Sequence, residues 1–305
     1  MIEVNRKLLI LAFTVSLIKL FLSPGQDLGW VIHYETRHLL TDDLQHPFLM
    51  HASLAVALAY DRYLNSPLGQ RRTPEECYHW YQSTALFSKR LREPIETKDK
   101  DPIWGTAAAL AMLTFSTPDS CTPEESWPLK PSDPSDLEWL RMSKGKMSLW
   151  RIANPLRLDS IFCVMASTYA QMNSPLPEKG IDGITRDLAI VCHLEDSSTA
   201  ENNPYFNAAH AVSHVQDLPD SQVTIGHTEL FTRSIHGPFK SLLQEKDPVA
   251  LLLLYLWYRK AGRGVWWIEA RARLECPSIC SYLRLYHKEY NAVHAFLPGV
   301  PLVGR

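Results

Sequence analysis

Three prolines in this 305-residue sequence each follow a polar residue and precede a stretch in which apolar side chains return every three to four positions: His46-Pro47, Thr73-Pro74 and Asp247-Pro248. Proline has no backbone N–H, so inside a helix it breaks the ladder; in the first turn that N–H would be unpaired anyway. The pattern therefore marks helix starts. Behind Pro47, the residues Phe48, Leu49, Ala52, Ala55, Val56, Ala59 and Tyr63 fall near one helical face. Thr73 is a good N-cap, and Glu75 and Glu76 sit at the positive end of the helix dipole. That helix continues through Cys77, Trp80, Tyr81, Ala85 and Leu86. The same period predicts helices over 102–115, 136–152, 159–169, 204–215, 227–244 and 248–260, and another from Val265 onward. Period-two alternation is scarce and Asn-Gly turns are absent. Residues 116–136 carry prolines, acids and serines in the manner of an exposed loop. The expected fold is all-α, a single multi-helix domain of about ten helices with proline-rich loops.

Hydrophobic residues make up 46% of the chain, enough for a sizeable core. The formal net charge of −2 excludes a whole-chain basic field of the kind that holds a phosphate backbone. The six cysteines, Cys77, Cys121, Cys163, Cys192, Cys276 and Cys280, are scattered through largely apolar surroundings. That distribution reads as reduced, buried thiols. Residues 1–24 form an apolar N-terminal segment, with Lys19 interrupting the run from Leu8 to Leu22. It has the cast of a signal anchor, and a buried first helix or a misplaced start are the other readings. Residues 25–305 would then form the helical domain.

Several polar groupings are weighed against plain burial. Cys276 and Cys280 share a helical face with His287, but Ile279, Leu283 and Tyr286 fill the same stripe. Arg271 and Arg273 flank that stripe and are expected to meet water. Trp266 and Trp267 are consecutive, so one should pack inward while the other lines a cavity or reaches a neighbouring helix. His210 and His214 have the i, i+4 spacing of a metal pair but lack the intervening Glu of a metalloprotease helix. His33 and His38 diverge around a helix. Asp42-Asp43 resembles the start of an aspartate-rich magnesium motif, with His46 where a third acid would stand. No metal and no cofactor is expected.

Three blocks together resemble the C-terminal regulatory region of fungal binuclear zinc-cluster (Zn2Cys6) transcription factors, in the branch of the sterol-uptake-control regulators. The first is His46-Pro47-Phe48-Leu49-Met50-His51-Ala52. The second is Met147-Ser148-Leu149-Trp150-Arg151-Ile152 with Pro155-Leu156-Arg157 and Ser160-Ile161-Phe162. The third runs from Asp247-Pro248-Val249-Ala250-Leu251-Leu252-Leu253-Leu254 through Trp257-Tyr258 to Trp266-Trp267-Ile268-Glu269 and on to Tyr282-Leu283. The similarity extends over roughly residues 27–290. It implies an all-α ligand-sensing module in a nuclear protein that regulates RNA polymerase II transcription, without chemistry of its own. The family's six-cysteine DNA-binding cluster is absent from this sequence, so direct nucleic-acid binding is not expected. Protein partners or a homodimer are. The same resemblance suggests Phe48, Met50, Tyr258, Trp266 and Trp267 as the lining of an apolar pocket for a sterol-like or other lipophilic effector, with plain core as the alternative for each. The competing function is an all-α enzyme of lipid or terpenoid metabolism, membrane-associated through residues 8–22, with Asp42, Asp43, His210 and His214 as its candidates.

Overall fold

The computed structural model describes residues 46–65, 71–118, 120–235 and 237–299. It is 65% helical, and the described residues contain no strand. The expected all-α class is what the chain adopts. Among the described residues the twelve α-helices are α1 (Pro47–Asn65), α2 (Pro74–Arg90), α3 (Lys100–Ser116), α4 (Glu138–Ala153), α5 (Ala166–Met172), α6 (Arg186–Val191), α7 (Phe206–Gln216), α8 (Ile225–Ser234), α9 (Pro238–Gln244), α10 (Pro248–Ala261), α11 (Trp266–Tyr286) and α12 (Asn291–His294).

The helix starts marked by proline are where the spacing places them. Thr73 Oγ1 accepts from the Glu76 N–H at 3.1 Å, closing the first turn of α2. Asp247 Oδ1 accepts from the N–H groups of Val249 and Ala250 at 3.0 and 2.9 Å, and α10 begins at Pro248. This helix is buried on nearly every side, from Val249 to Tyr255 and again at Trp257, Tyr258 and Ala261. A helix apolar all round belongs at the centre of a fold. Each fully buried Leu there contributes about 1.5–3 kcal/mol relative to exposure. The second central helix is α3, whose small residues Gly105, Ala107 and Ala109 admit close neighbours. It packs on α1, α4 and α11, while α10 packs on α7 and α11.

Three apolar clusters result. The largest surrounds α10 and includes Phe115, Trp139, Phe206, Phe231 and Leu283. The second joins α1, α2 and α3 and includes Trp266. The third gathers Trp104, Ala153, Met165, Tyr169 and Met172.

Four expectations are corrected. The helix predicted over 227–244 is two helices, α8 and α9. Gly237 has φ +51°, in the left-handed region, and Pro238 has no N–H to continue a ladder, so the chain must restart there. The helix predicted over 159–169 opens as a 3-10 turn, Ile161–Met165, before α5. The helix α11 continues through Pro277. Pro277 lies on the exposed face, where water can replace the missing donor, while Leu274, Ser278 and Ile279 hold both flanks in the core. Arg271, expected in water, is buried beside Glu275.

The loop between α3 and α4 is not wholly exposed either. Ser126, Trp127 and Pro128 are buried, and Ser278 Oγ donates to the Ser126 carbonyl at 3.0 Å. Lys246 Nζ donates to the Lys130 carbonyl at 2.9 Å. The proline-rich tract is thus fastened to α11 and to the turn before α10. No helix among the described residues is long and apolar enough to cross a membrane.

Candidate functional site

The three clusters meet around a cavity walled by indoles. Trp104 comes from α3, Trp139 from α4, Trp257 from α10 and Trp267 from α11. Each is placed by the apolar stripe of its helix, and the rings order one another. Trp139 stacks on Trp257 with 7° between planes and 6.5 Å between centroids, and Phe115 meets Trp139 edge-on at 4.8 Å. Trp257 also stacks on Phe231 at 5.0 Å. Trp104 and Trp150 meet edge-on at 5.1 Å, and Trp150 meets Tyr169 at 4.5 Å. Edge-to-face pairs place the positive rim of one ring on the negative face of the next.

Buried polar atoms of this wall are mostly matched. Trp104 Nε1 donates to Tyr169 Oη at 3.1 Å, and Trp257 Nε1 donates to the Thr228 carbonyl at 3.1 Å. Burial pushes the Tyr169 hydroxyl well above its usual range, so it remains a neutral phenol. Lys146 of α4 and Glu229 of α8 form an ion pair at 3.0 Å in the cavity wall, with 13% and 19% of their side chains exposed. Thr232 Oγ1 donates to the second Glu229 oxygen at 3.0 Å. Trp139 Nε1 is buried without a partner. The enclosed space is about 70 Å³, several-fold below the ~300–1,000 Å³ of a typical ligand pocket. A guest larger than a few solvent molecules must therefore displace side chains to enter.

The five residues expected to line an apolar pocket are distributed over two clusters. Phe48 and Trp266 are buried together in the cluster of α1, α2 and α3, where Trp266 lies edge-on to Tyr60 at 5.1 Å. Tyr258 is fully buried in the large cluster and donates to Glu275 Oε2 at 2.7 Å. Met50 is half-buried on α1. Trp267 packs against both clusters and lines the cavity. Of the two consecutive indoles, one therefore packs inward and the other borders a cavity. Trp104, Trp139 and Trp257 were not anticipated there. Each reads as inward-facing from its helical period, but nothing in the spacing says that helices so far apart in sequence converge.

The polar groupings separate as well. His210 is buried, with Nε2 at 3.1 Å from the Gly180 carbonyl oxygen and its ring edge-on to Phe206 at 4.5 Å. Burial holds its pKa below the usual histidine value. His214 is exposed, and its ring centre lies 5.9 Å from that of His227. Cys280 is buried and Cys276 half-buried, and burial raises both thiols. His33, His38, Asp42 and Asp43, like the apolar run of residues 8–22, lie outside the described residues. Among the described residues, no group of three or more His, Cys, Asp or Glu side chains is placed to hold a metal ion.

Two polar contacts escaped the sequence. His51 and His79 bring their Nδ1 atoms to 2.7 Å across α1 and α2. Glu76 is fully buried and receives Arg62 in a two-point pair, Nε to Oε2 and Nη2 to Oε1, both at 2.9 Å. Both pairs are fixed by helix packing, which local spacing does not encode. Neither a known family's sequence model nor any curated protein matches this chain.

Proposed function

We propose that this chain is a transcription-regulator-like helical module that senses an apolar effector, of sterol-like size and chemistry, through the indole-lined cavity. It acts in the nucleus on RNA polymerase II genes through a protein partner or a second copy of itself, and not by reading DNA directly. The resemblance to the regulatory region of Zn2Cys6 factors supplies the context. The observation that carries the reading is the place of the cavity, at the meeting of all three apolar clusters. A guest that widens it must shift α3, α4, α8 and α10 against one another. The Lys146–Glu229 pair joins α4 to α8 across the wall and would be strained or released by that shift. The two packings then differ in the surface they offer a partner, and the effector favours the wider one by its differential affinity.

The test uses dehydroergosterol, a fluorescent sterol, with the full chain. Saturable energy transfer from tryptophan to the probe is expected, and it should be lost in Ala111→Phe, which fills the cavity from α3. The same variant, fused to a heterologous DNA-binding domain, should no longer respond to sterol in a reporter strain. Absence of saturable transfer with the unmodified chain would overturn the proposal.

A further inference from the structure

The hairpin of α1 and α2 brings two imidazoles together away from the indole-lined cavity. His51 of α1 and His79 of α2 face each other, with Nδ1 atoms 2.7 Å apart and ring centroids 5.0 Å apart. Two lone pairs, or two N–H groups, would repel at that distance, so the gap between the nitrogens holds one proton. One imidazole donates and the other accepts. Both rings are half-buried, and the exposed Tyr78 flanks them edge-on at 5.8 and 5.2 Å.

The frame around the pair is fixed by other contacts. Ser83 Oγ of α2 donates to the Phe48 carbonyl of α1 at 2.9 Å, and Phe48 packs on Phe87 at 5.8 Å between centroids. Further along the hairpin, Arg62 holds the fully buried Glu76 at two points. The two backbones therefore keep the imidazoles together whatever lies between the nitrogens.

A proton is one occupant of such a gap, and a metal ion is another. Imidazole nitrogen is a ligand for copper, nickel and zinc. With metal–nitrogen bonds of about 2.0–2.1 Å, two nitrogens at a right angle around an ion lie about 2.9 Å apart, and at the tetrahedral angle about 3.4 Å. The pair would open by about 0.2 Å for the first geometry and about 0.7 Å for the second. Right-angled coordination belongs to copper(II) and nickel(II), tetrahedral coordination to zinc. The rings must also turn about their Cβ–Cγ bonds, so that both lone pairs converge on the ion. The shared proton moves to Nε2 of the ring that carried it, and both imidazoles stay neutral.

We propose that His51 and His79 form a two-imidazole site for copper(II) or nickel(II), which on binding clamps α1 to α2. Among the described residues no third His, Cys, Asp or Glu side chain joins them. A site of this kind exchanges its ion and differs from the closed four-ligand set of structural zinc. It is separate from the indole-lined cavity and independent of the function proposed for it.

Nickel(II) chloride is titrated into the full chain by calorimetry, with magnesium chloride as the control. Nickel should bind saturably in the micromolar range and raise the urea midpoint. Magnesium, which seeks oxygen ligands, should do neither. His51→Ala and His79→Ala should each weaken nickel binding by at least about tenfold, the loss that even an outer-shell partner causes. His214→Ala should leave it unchanged. Should a variant fail to fold, the unmodified chain still decides the matter: nickel should shield His51 and His79 from diethyl pyrocarbonate, with the labelled sites mapped by mass spectrometry. The assignment is overturned by the absence of saturable nickel binding, by an equal response to magnesium, or by binding that both variants keep or that depends on His214 instead. Labelling of both histidines unchanged by saturating nickel overturns it as well.

Discussion

Replacing Glu275 with Gln keeps the shape of the side chain and removes its charge, leaving Arg271 ionised in a site where both residues are almost fully buried. Arg271 Nη1 lies 2.5 Å from Glu275 Oε1, and Tyr258 donates to Oε2 at 2.7 Å. With charge centres about 4 Å apart and an effective dielectric of ~20, the lost attraction is about 4 kcal/mol. Breaking a buried pair by removing one partner typically costs ~3–5 kcal/mol. One feature lowers the expectation. The same guanidinium donates to the carbonyls of Phe115 and Thr114, at the negative end of α3, which partly compensates the stranded charge. The expected loss is therefore at the low end, about 3 kcal/mol. Urea unfolding, with equal m-values for the two proteins, would read it as a shift in midpoint. Arg271→Met alone and with Glu275→Gln completes the cycle, and a coupling of about 2 kcal/mol or more is expected for residues in direct contact. A loss below about 1 kcal/mol for Glu275→Gln, the value of an exposed pair, would refute the argument.

Three further outcomes follow from packing and titration. A Cβ at Gly226 would lie 2.4 Å from the Thr168 carbonyl oxygen, so Gly226→Ala must push α8 off α5. It should lower stability by about 1–3 kcal/mol in the same urea assay. Burial holds the pKa of His210 below the usual histidine value, so the unfolded chain binds the proton more readily than the folded one. The stability this group contributes is full above the unfolded pKa and is lost as pH falls below it toward the folded value. His210→Gln should flatten the urea midpoint on the acid side of about pH 6.5, the ordinary value, relative to the unmodified chain. A disulfide-exchange reagent should modify exposed Cys77 well before Cys192, whose thiol burial pushes up to about 12. Mass mapping at early time points would identify the modified residue, and labelling of Cys192 first would contradict the burial.

Helices with a chemical start signal were readable from sequence, because a cap and a first-turn proline act within one turn. Thr73-Pro74 and Asp247-Pro248 are such cases. The six residues of α6 escaped because Leu188, Ala189 and Val191 span too few turns to establish a period. The break between α8 and α9 was signalled by Gly237-Pro238, a pair the apolar spacing of 227–244 overrode. Arg271 reads as solvent-facing because it flanks the apolar stripe of Ile279 and Leu283. Its burial depends on the end of α3, more than 150 residues earlier. The cavity followed the same rule. Each indole faces inward by the period of its own helix, whereas the meeting of Trp104, Trp139, Trp257 and Trp267 is a property of tertiary packing.

The attachment of α11 to the first helices also sets an order of assembly. Tyr63 donates to Glu269 Oε2 at 2.5 Å, across 206 positions of sequence, and Trp266 completes the cluster of α1, α2 and α3. A nascent chain that has emerged only as far as Arg263 holds those three helices with an uncovered oily flank. It stays in that condition from the end of α3 at Ser116 until α11 begins at Trp266. Closure of the cluster of α1, α2 and α3 therefore waits on α11, and until that helix emerges the exposed flank is open to mispairing.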